Sequence, residues 1–369
     1  MTRSWTHTGY AQRLHFGLDA MDKADAVVKE AGGRRVLLVT TKGRRQSEGG
    51  ERLARTLGRM LVSVFDGVVS HVPTTAVQSA VGQALSDGVD AVVSFGGGSC
   101  ADLGKAVCFF VEQQGGVPGA SYADRPALAH VAIPTTYSGA ELTPFFGMTD
   151  QGSHRKSGAG GPTIAPLAAV YDPIVTLDTP VRVSAETGMN ALAHGVEAAC
   201  SPSRSPEAEA VALACVRLVA AALPDVVDEP GDLDARTRML EGSALGGRCL
   251  QNAGMGVEHG LAQLVGGRTG IAHGVANAIL LSHAVRFNLE AVPEALWRVG
   301  DALGDAGDPA GVIDRLRERL GLPGSLSEVG VTIDDLDAVV RMSSSSPSVR
   351  GNPRPVSEDD ARGILEAAF

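Results

Sequence analysis

The chain is short of several things, and each shortage narrows what it can be. Only five of its 369 residues are lysine, 4 % are aromatic, and no basic run is longer than the pairs Arg34-Arg35 and Arg44-Arg45. With a formal net charge of −10, it lacks the positive surface that nucleic acids or anionic membranes require, so any phosphate it binds must be held locally. Cysteine is sparse too. Cys100, Cys108, Cys200, Cys215 and Cys249 form an odd set without a C-x-x-C pair, which argues against a disulfide framework and against a cysteine zinc site. All five read as core residues. The first thirty residues carry charge throughout and contain no apolar signal-peptide stretch, and no unbroken apolar run approaches a membrane span. The expectation is a cytoplasmic protein with a small-molecule substrate and neither nucleic acid nor membrane as partner.

What is present is a foldable globular composition, 44 % hydrophobic and 20 % charged, long enough for two or three domains at roughly 150 residues each. Short β-branched runs recur at 36–41, 61–65, 91–98, 130–136 and 168–173, bounded by Gly or Pro, with helical spacing between them. That alternation predicts an α/β domain over 1–172 whose mostly parallel sheet is covered on both faces, an architecture suited to dinucleotide binding. After Asp172-Pro173 only helical patterns follow, so an all-α domain is expected over 173–369. The polar stretch 343–355 reads as a surface loop.

Three places carry chemistry. GGGSCADLGK, Gly96 to Lys105, follows a predicted strand and opens a predicted helix; its glycines admit a ligand close to the backbone, and free helix N–H groups can hold a phosphate. Asp102 in its first turn also suits the helix dipole. IPTTYSGAELTP, Ile133 to Pro144, gathers Thr135, Thr136, Tyr137 and Ser138 at another strand's carboxyl end, where open α/β sheets form their ligand crevice. In the helical half Asn190 and His194 stand four apart on one face, and His259 and His273 follow. Three histidines from two or three helices can make a metal or proton-transfer site.

Taken in order, GGGSCADLGK, PTTYSGAELTP, NALAHGVEA, EHGLAQLVGG, AHGVANAILLSHAVRFN and NPRPVSEDD resemble the iron-containing alcohol dehydrogenase superfamily over nearly the whole chain. HVPTTAV, the Pro-Thr-Thr-Tyr-Ser-Gly run and Asn190 are most similar to maleylacetate reductases within it. The resemblance implies a dehydroquinate synthase-like fold and a homodimer. It implies NADPH or NADH lying across the strand ends, with the substrate in the cleft between domains. Gly96, Gly97, Gly98 and Ser99 would hold the pyrophosphate, Asp102 would belong to the same cofactor site, Thr135, Thr136 and Ser138 would contact phosphate and ribose, and Lys156 would sit near the ribose hydroxyls. Thr41 occupies the position where NAD-preferring members close the strand with an Asp, and with Lys42, Arg44 and Arg45 beside it NADPH should be accepted. His194, His259, His273 and Tyr137 would be catalytic, and Arg155 or Arg268 could pair a substrate carboxylate.

The family's metal set is an Asp with three His for Fe or Zn. Here Asn190 takes the Asp position beside His194, His259 and His273, and a neutral amide offers a weaker ligand, so a weak or absent metal is expected. Gln263 replaces a further His that the resemblance implies one helical turn after His259, and Gln cannot shuttle a proton near neutral pH. The reading is an NAD(P)H-dependent oxidoreductase that passes hydride to an enone or oxo-acid. Its competitors are a metal-dependent alcohol or aldehyde dehydrogenase and a scaffold turned to non-redox chemistry.

Overall fold

The computed structural model describes residues 5–116, 126–152 and 155–369, with the side chains of Arg155 and Lys156 outside the described set. The chain forms two compact units. One comprises the described residues of Gly9–Thr136 and Ala140–Thr179; the other comprises Pro180–Phe369 together with Tyr137–Gly139 and residues 5–8. The boundary therefore lies at Thr179/Pro180 rather than at 172/173. Hydrogen bonds explain the difference: Asp172 accepts from the backbone of Met21 and Ile174, and the Thr179 hydroxyl donates to Thr135 O at 2.6 Å, tying this stretch to the first unit.

The first unit contains strands β1 (Arg13–Phe16), β2 (Val36–Thr40), β3 (Leu61–Phe65), β4 (Ala91–Gly96), β5 (Ala129–Pro134), β6 (Phe145–Asp150), β7 (Arg155–Gly160) and β8 (Ala168–Tyr171). Six of them form one parallel sheet in the order β1-β8-β5-β4-β2-β3, while β6 and β7 make a separate antiparallel pair. Neither β1 nor this pair stood out in the sequence, because Arg13–Phe16 is an exposed edge and 145–160 is rich in glycine. In β2, Leu37 and Val39 join the core beneath the helices Thr74–Ser86 and Gly98–Gln114, whereas Val36 and Leu38 join the core on the opposite face. Each such buried side chain contributes roughly 1.5–3 kcal/mol. The chain runs from β2 outward to β3 and then back across to β4, so the strand order reverses between β2 and β4, the place where such sheets take ligands.

The second unit is helical. Its helix Pro206–Asp228 is by length and composition apolar enough to cross a membrane. The expectation that no segment approaches a membrane span does not hold for its composition, since Glu207, Glu209 and Arg217 only interrupt an otherwise apolar stretch. In the fold it is a core helix: Ala208, Ala212, Cys215, Val216, Val219 and Leu223 form a buried stripe facing the helices Val181–Cys200 and Leu233–Asn252. The 343–355 stretch is not a surface loop. It contains the short helix Pro347–Arg350, and buried Asn352 accepts from Val257 N and exchanges hydrogen bonds with Asn288. Satisfying a buried helix start required polar side chains from a distant segment, which local composition does not reveal.

Glu141 is fully buried in the first unit and accepts from the Tyr171 hydroxyl at 2.9 Å. Burial pushes its carboxyl pKa from the usual 4.5 up to about 7, with hydrogen bonds to its own backbone and to Tyr171 opposing. The folded-state pKa thus lies above the unfolded one, so this group's stability is fully present below 4.5 and is lost as pH rises through 7. In urea melts, Glu141→Gln should gain on the wild type between those limits, by on the order of 3 kcal/mol once the wild-type carboxyl is ionised. A difference that stays flat with pH would remove Glu141 as the source.

Candidate active site

In the first unit, the turn after β4 requires glycine, because its backbone packs closely against neighbouring side chains. Gly96 has φ +145°, and a Cβ there would stand 2.5 Å from Cys100 Sγ; a Cβ on Gly97 would press on Thr136 at 3.2 Å. The helix Gly98–Gln114 begins at Gly97 without a side-chain cap, and Gly97 to Ser99 are partly exposed, so its first N–H groups can receive an anion. Thr135 Oγ1 and Thr136 Oγ1 in this unit, and Ser138 Oγ in the other, are buried without a hydrogen-bond partner. Buried hydroxyls are rarely left so. Within the first unit, the uncapped helix start and the orphaned Thr135 and Thr136 hydroxyls fit a dinucleotide cofactor.

Two residues expected at this site are occupied elsewhere. Asp102 pairs with the fully buried Lys105 Nζ at 2.8 Å and accepts from Gly147 N, because Lys105 needs a counter-charge while it also donates to Ala140 O, Thr143 Oγ1 and Phe145 O. Asp102 is therefore the ion-pair partner of the lysine that clamps 140–145. Thr41 caps the helix Lys42–Gln46 by accepting from Arg44 N, and Arg44 turns toward Thr179 and Asp178. Lys42 stays exposed and Arg45 half-buried. The Lys156 side chain lies outside the described residues, as does that of Arg155.

The second unit assembles the histidines. Asn190, His194 and Glu197 lie on one stripe of the helix Val181–Cys200, Glu258 and His259 open the helix Val257–Thr269, and His273 and Asn277 stand a turn apart at the start of His273–Asn288. The His194 and His259 rings stack with centroids 4.7 Å apart, and those of His259 and His273 meet edge-on at 5.7 Å. Glu197 accepts from the backbone of Gly256, Glu258 and His259 and from His259 Nδ1 at 3.0 Å, so one carboxylate caps the helix and orients the ring. Glu258 Oε2 lies 2.7 Å from the same nitrogen without hydrogen-bond alignment. Asn277 Nδ2 donates to Asn190 Oδ1 at 2.6 Å and faces His259 Nε2 at 3.5 Å.

Burial acts differently on the members of this cluster. It drives the His194 pKa well below its ordinary value, helped by the neighbouring His259 and His273. Burial would lower His259 as well, but Glu258 and Glu197 outweigh it and raise the pKa to about 10. Glu258, fully buried, is pushed up to about 7 by desolvation, against the pull of His259.

A divalent cation held by one Asp and three His needs an anionic oxygen and three available imidazole nitrogens around one point. Here the oxygen is a neutral amide already accepting a 2.6 Å hydrogen bond. Among the described residues, the donor atoms that lie within 4.8 Å of one another belong instead to Glu197, Glu258 and His259, where Glu197 is filled by backbone N–H groups. These residues do not fit a tightly held divalent cation.

Family models for iron-containing alcohol dehydrogenase and for the C-terminal part of the Fe-containing alcohol dehydrogenase family match residues 11–173 and 184–369. The chain belongs to the iron-containing alcohol dehydrogenase family. It is 34 % identical over 357 residues to a maleylacetate reductase of Burkholderia cepacia, covering 97 % of this chain and 95 % of that protein. It is 35 % identical to maleylacetate reductase 2 of Cupriavidus pinatubonensis, with 97 % and 94 % covered. The crystal structure of maleylacetate reductase from Agrobacterium tumefaciens superposes with a TM-score of 0.88 at 32 % identity, covering 100 % of this chain and 99 % of that one. The chain is an NAD(P)H-dependent oxidoreductase of this family.

Within the family fold, His194, His259, His273 and Asn190 do meet, and Tyr137 is fully buried with its hydroxyl accepting from Arg236. Arg268 is half-exposed, with its Nε paired to Asp335 at 2.9 Å. Gln263 is exposed. Sequence reasoning missed Glu197, Glu258, Asn277 and Arg236. Glu197 and Asn277 were legible as i+3 and i+4 partners of His194 and His273; Glu258 and Arg236 carry no such signal. Asn190→Asp would supply the missing anionic oxygen. Its Zn²⁺ affinity, measured by chelator competition, should exceed the wild type's by about tenfold or more, and equal affinities would show that position 190 does not limit metal binding.

Proposed function

We propose that this chain reduces the carbon–carbon double bond of an enone oxo-acid, the maleylacetate type of substrate named for its relatives, using NAD(P)H and no tightly held metal. The observation that carries this reading is the polar cluster in which a neutral Asn190–Asn277 pair and three imidazoles stand where metal-dependent chemistry would need an anionic ligand. Adding hydride to an enone moves negative charge onto the carbonyl oxygen, and hydrogen-bond donors can stabilise that enolate without a Lewis acid.

Gly97 to Ser99 would hold the cofactor's diphosphate by backbone N–H groups, and the hydroxyls of Thr135, Thr136 and Ser138 would meet its phosphate and ribose. When bound, NAD(P)H supplies the hydride. Thr41 in place of an acid removes repulsion of a 2′-phosphate, and exposed Lys42 with Arg45 favours it, so NADPH is accepted. Because Glu197 takes His259 Nδ1, that ring offers only Nε2, which would face the substrate oxygen. His194 and His273 shape the same site, and Tyr137 borders it.

Maleylacetate mixed with the enzyme and NADPH should consume reduced cofactor one for one with substrate, and prior chelator treatment should leave the rate within about twofold. A rate abolished by chelation and restored by Fe²⁺ or Zn²⁺ would favour a metal-dependent alcohol dehydrogenase; no consumption at high enzyme concentration would reject the substrate. His259→Gln should lower kcat by about 10²–10⁴ while leaving cofactor binding, measured by fluorescence, close to wild type.

A further inference from the structure

Lys105, on the helix Gly98–Gln114, is the cation of a buried polar cluster that lies wholly within the first unit. Its Nζ donates to Ala140 O at 2.9 Å, to Thr143 Oγ1 at 2.7 Å and to Phe145 O, and it pairs with Asp102 Oδ1 at 2.8 Å. An ammonium has three protons to give, so these oxygens exhaust them. Glu141 sits among those acceptors in the short 3₁₀ turn Ala140–Leu142, buried, and accepts from the Tyr171 hydroxyl at 2.9 Å. The helix turns Lys105 and Asp102 toward it and β8 contributes Tyr171, whereas His130 of β5 is engaged with Ser94, and Glu112, farther along the helix, accepts from Thr163 and Ala127.

One cation therefore serves two carboxyl groups. With Glu141 protonated, Asp102, Lys105 and Glu141 together carry no net charge; with Glu141 ionised they carry one negative charge where little water can screen it. Burial raises the Glu141 pKa to about 7, with Asp102 acting in the same direction and its own backbone, Tyr171 and Lys105 opposing. Asp102 lies one turn into the helix whose first N–H groups, at Gly97 to Ser99, would receive a diphosphate, and Glu141 follows Thr135 and Thr136 in the chain. A negative charge gained in this cluster opposes an anion at that helix start.

Resting on the diphosphate site proposed above, we infer that Glu141 is a proton-binding site linked to NAD(P)H binding: the anionic cofactor is held best when the Glu141 carboxyl carries its proton. The linkage has one sign. Well below pH 7 the carboxyl is neutral with or without cofactor, and affinity is flat. As pH rises through 7 the free enzyme loses that proton, binding must draw one back from water onto the carboxyl, and affinity falls.

NADPH binding to the full-length enzyme, followed by cofactor fluorescence, tests the linkage without turnover. Between about pH 6 and about pH 8.5 the wild-type Kd should rise about 3- to 10-fold relative to that of Glu141→Gln, and taking the ratio removes the cofactor's own 2′-phosphate titration. Tyr171→Phe, which takes a donor from the ionised carboxyl, should move the rise to higher pH, and it serves where the glutamine variant does not fold. Titration calorimetry above pH 7, in buffers of different ionisation heat, should show more proton uptake on binding by the wild type than by Glu141→Gln. The same pH dependence in both proteins, equal proton uptake, or a rise that Tyr171→Phe leaves in place would overturn the inference. An enzyme that binds NADPH at no pH would reject the diphosphate site and the linkage together, whereas one that binds it without regard to Glu141 would reject the linkage alone.

Discussion

The carboxylate of Glu197 is the contact on which the second unit's site depends. It receives three backbone N–H groups at the start of the helix Val257–Thr269 and the His259 ring nitrogen as well. That helix start is buried, so without Glu197 its donors would lack water and protein partners alike. The same contact locks the helix Val257–Thr269 to the helix Val181–Cys200, brings His259 under His194 and settles which nitrogen of His259 faces outward. Fold stability and ring orientation are here one interaction.

Charge explains why Asn190 suits its neighbours. Glu197 and Glu258 already place two buried carboxyl groups around one imidazole. A third carboxylate at position 190, with no divalent cation among them, would add repulsion in a region with little water to screen it. The Asn190 amide instead accepts from Asn277 and donates to Ser138 O, joining the histidine cluster to the Tyr137–Gly139 segment with no net charge. Arg236 then supplies positive charge on the other side of that segment. The polar interior is thus organised by hydrogen-bond direction more than by ion pairing.

Much of this was readable from residue order. The parallel strands 36–40, 91–96 and 129–134 follow from short apolar runs buried on both faces, 61–65 from a β-branched run at the sheet edge, and the glycine turn after β4 from the close packing of Gly96 on Cys100 and Gly97 on Thr136. Asn190 and His194 share a face by helical spacing alone. Edge strand β1 and the 346–352 segment, which buries Ser346, Val349 and Asn352, escaped notice because their partners are far away in the chain. The ion pair of Asp102 escaped notice for a related reason: a first-turn acid suits a helix dipole, and nothing in its neighbourhood announces that buried Lys105 will claim it.

The sequence by itself determined the two-part architecture, the glycine turn after β4 and the identity of the histidines, because periodicity, glycine content and i to i+4 spacing are local properties of the chain. Only the tertiary structure decided that Glu197 and Glu258 grip His259, that Asn277 occupies the oxygen of Asn190, and that Arg236 donates to the Tyr137 hydroxyl. Those are contacts between residues up to 99 positions apart, and their direction depends on which buried donors and acceptors the packed helices leave unsatisfied.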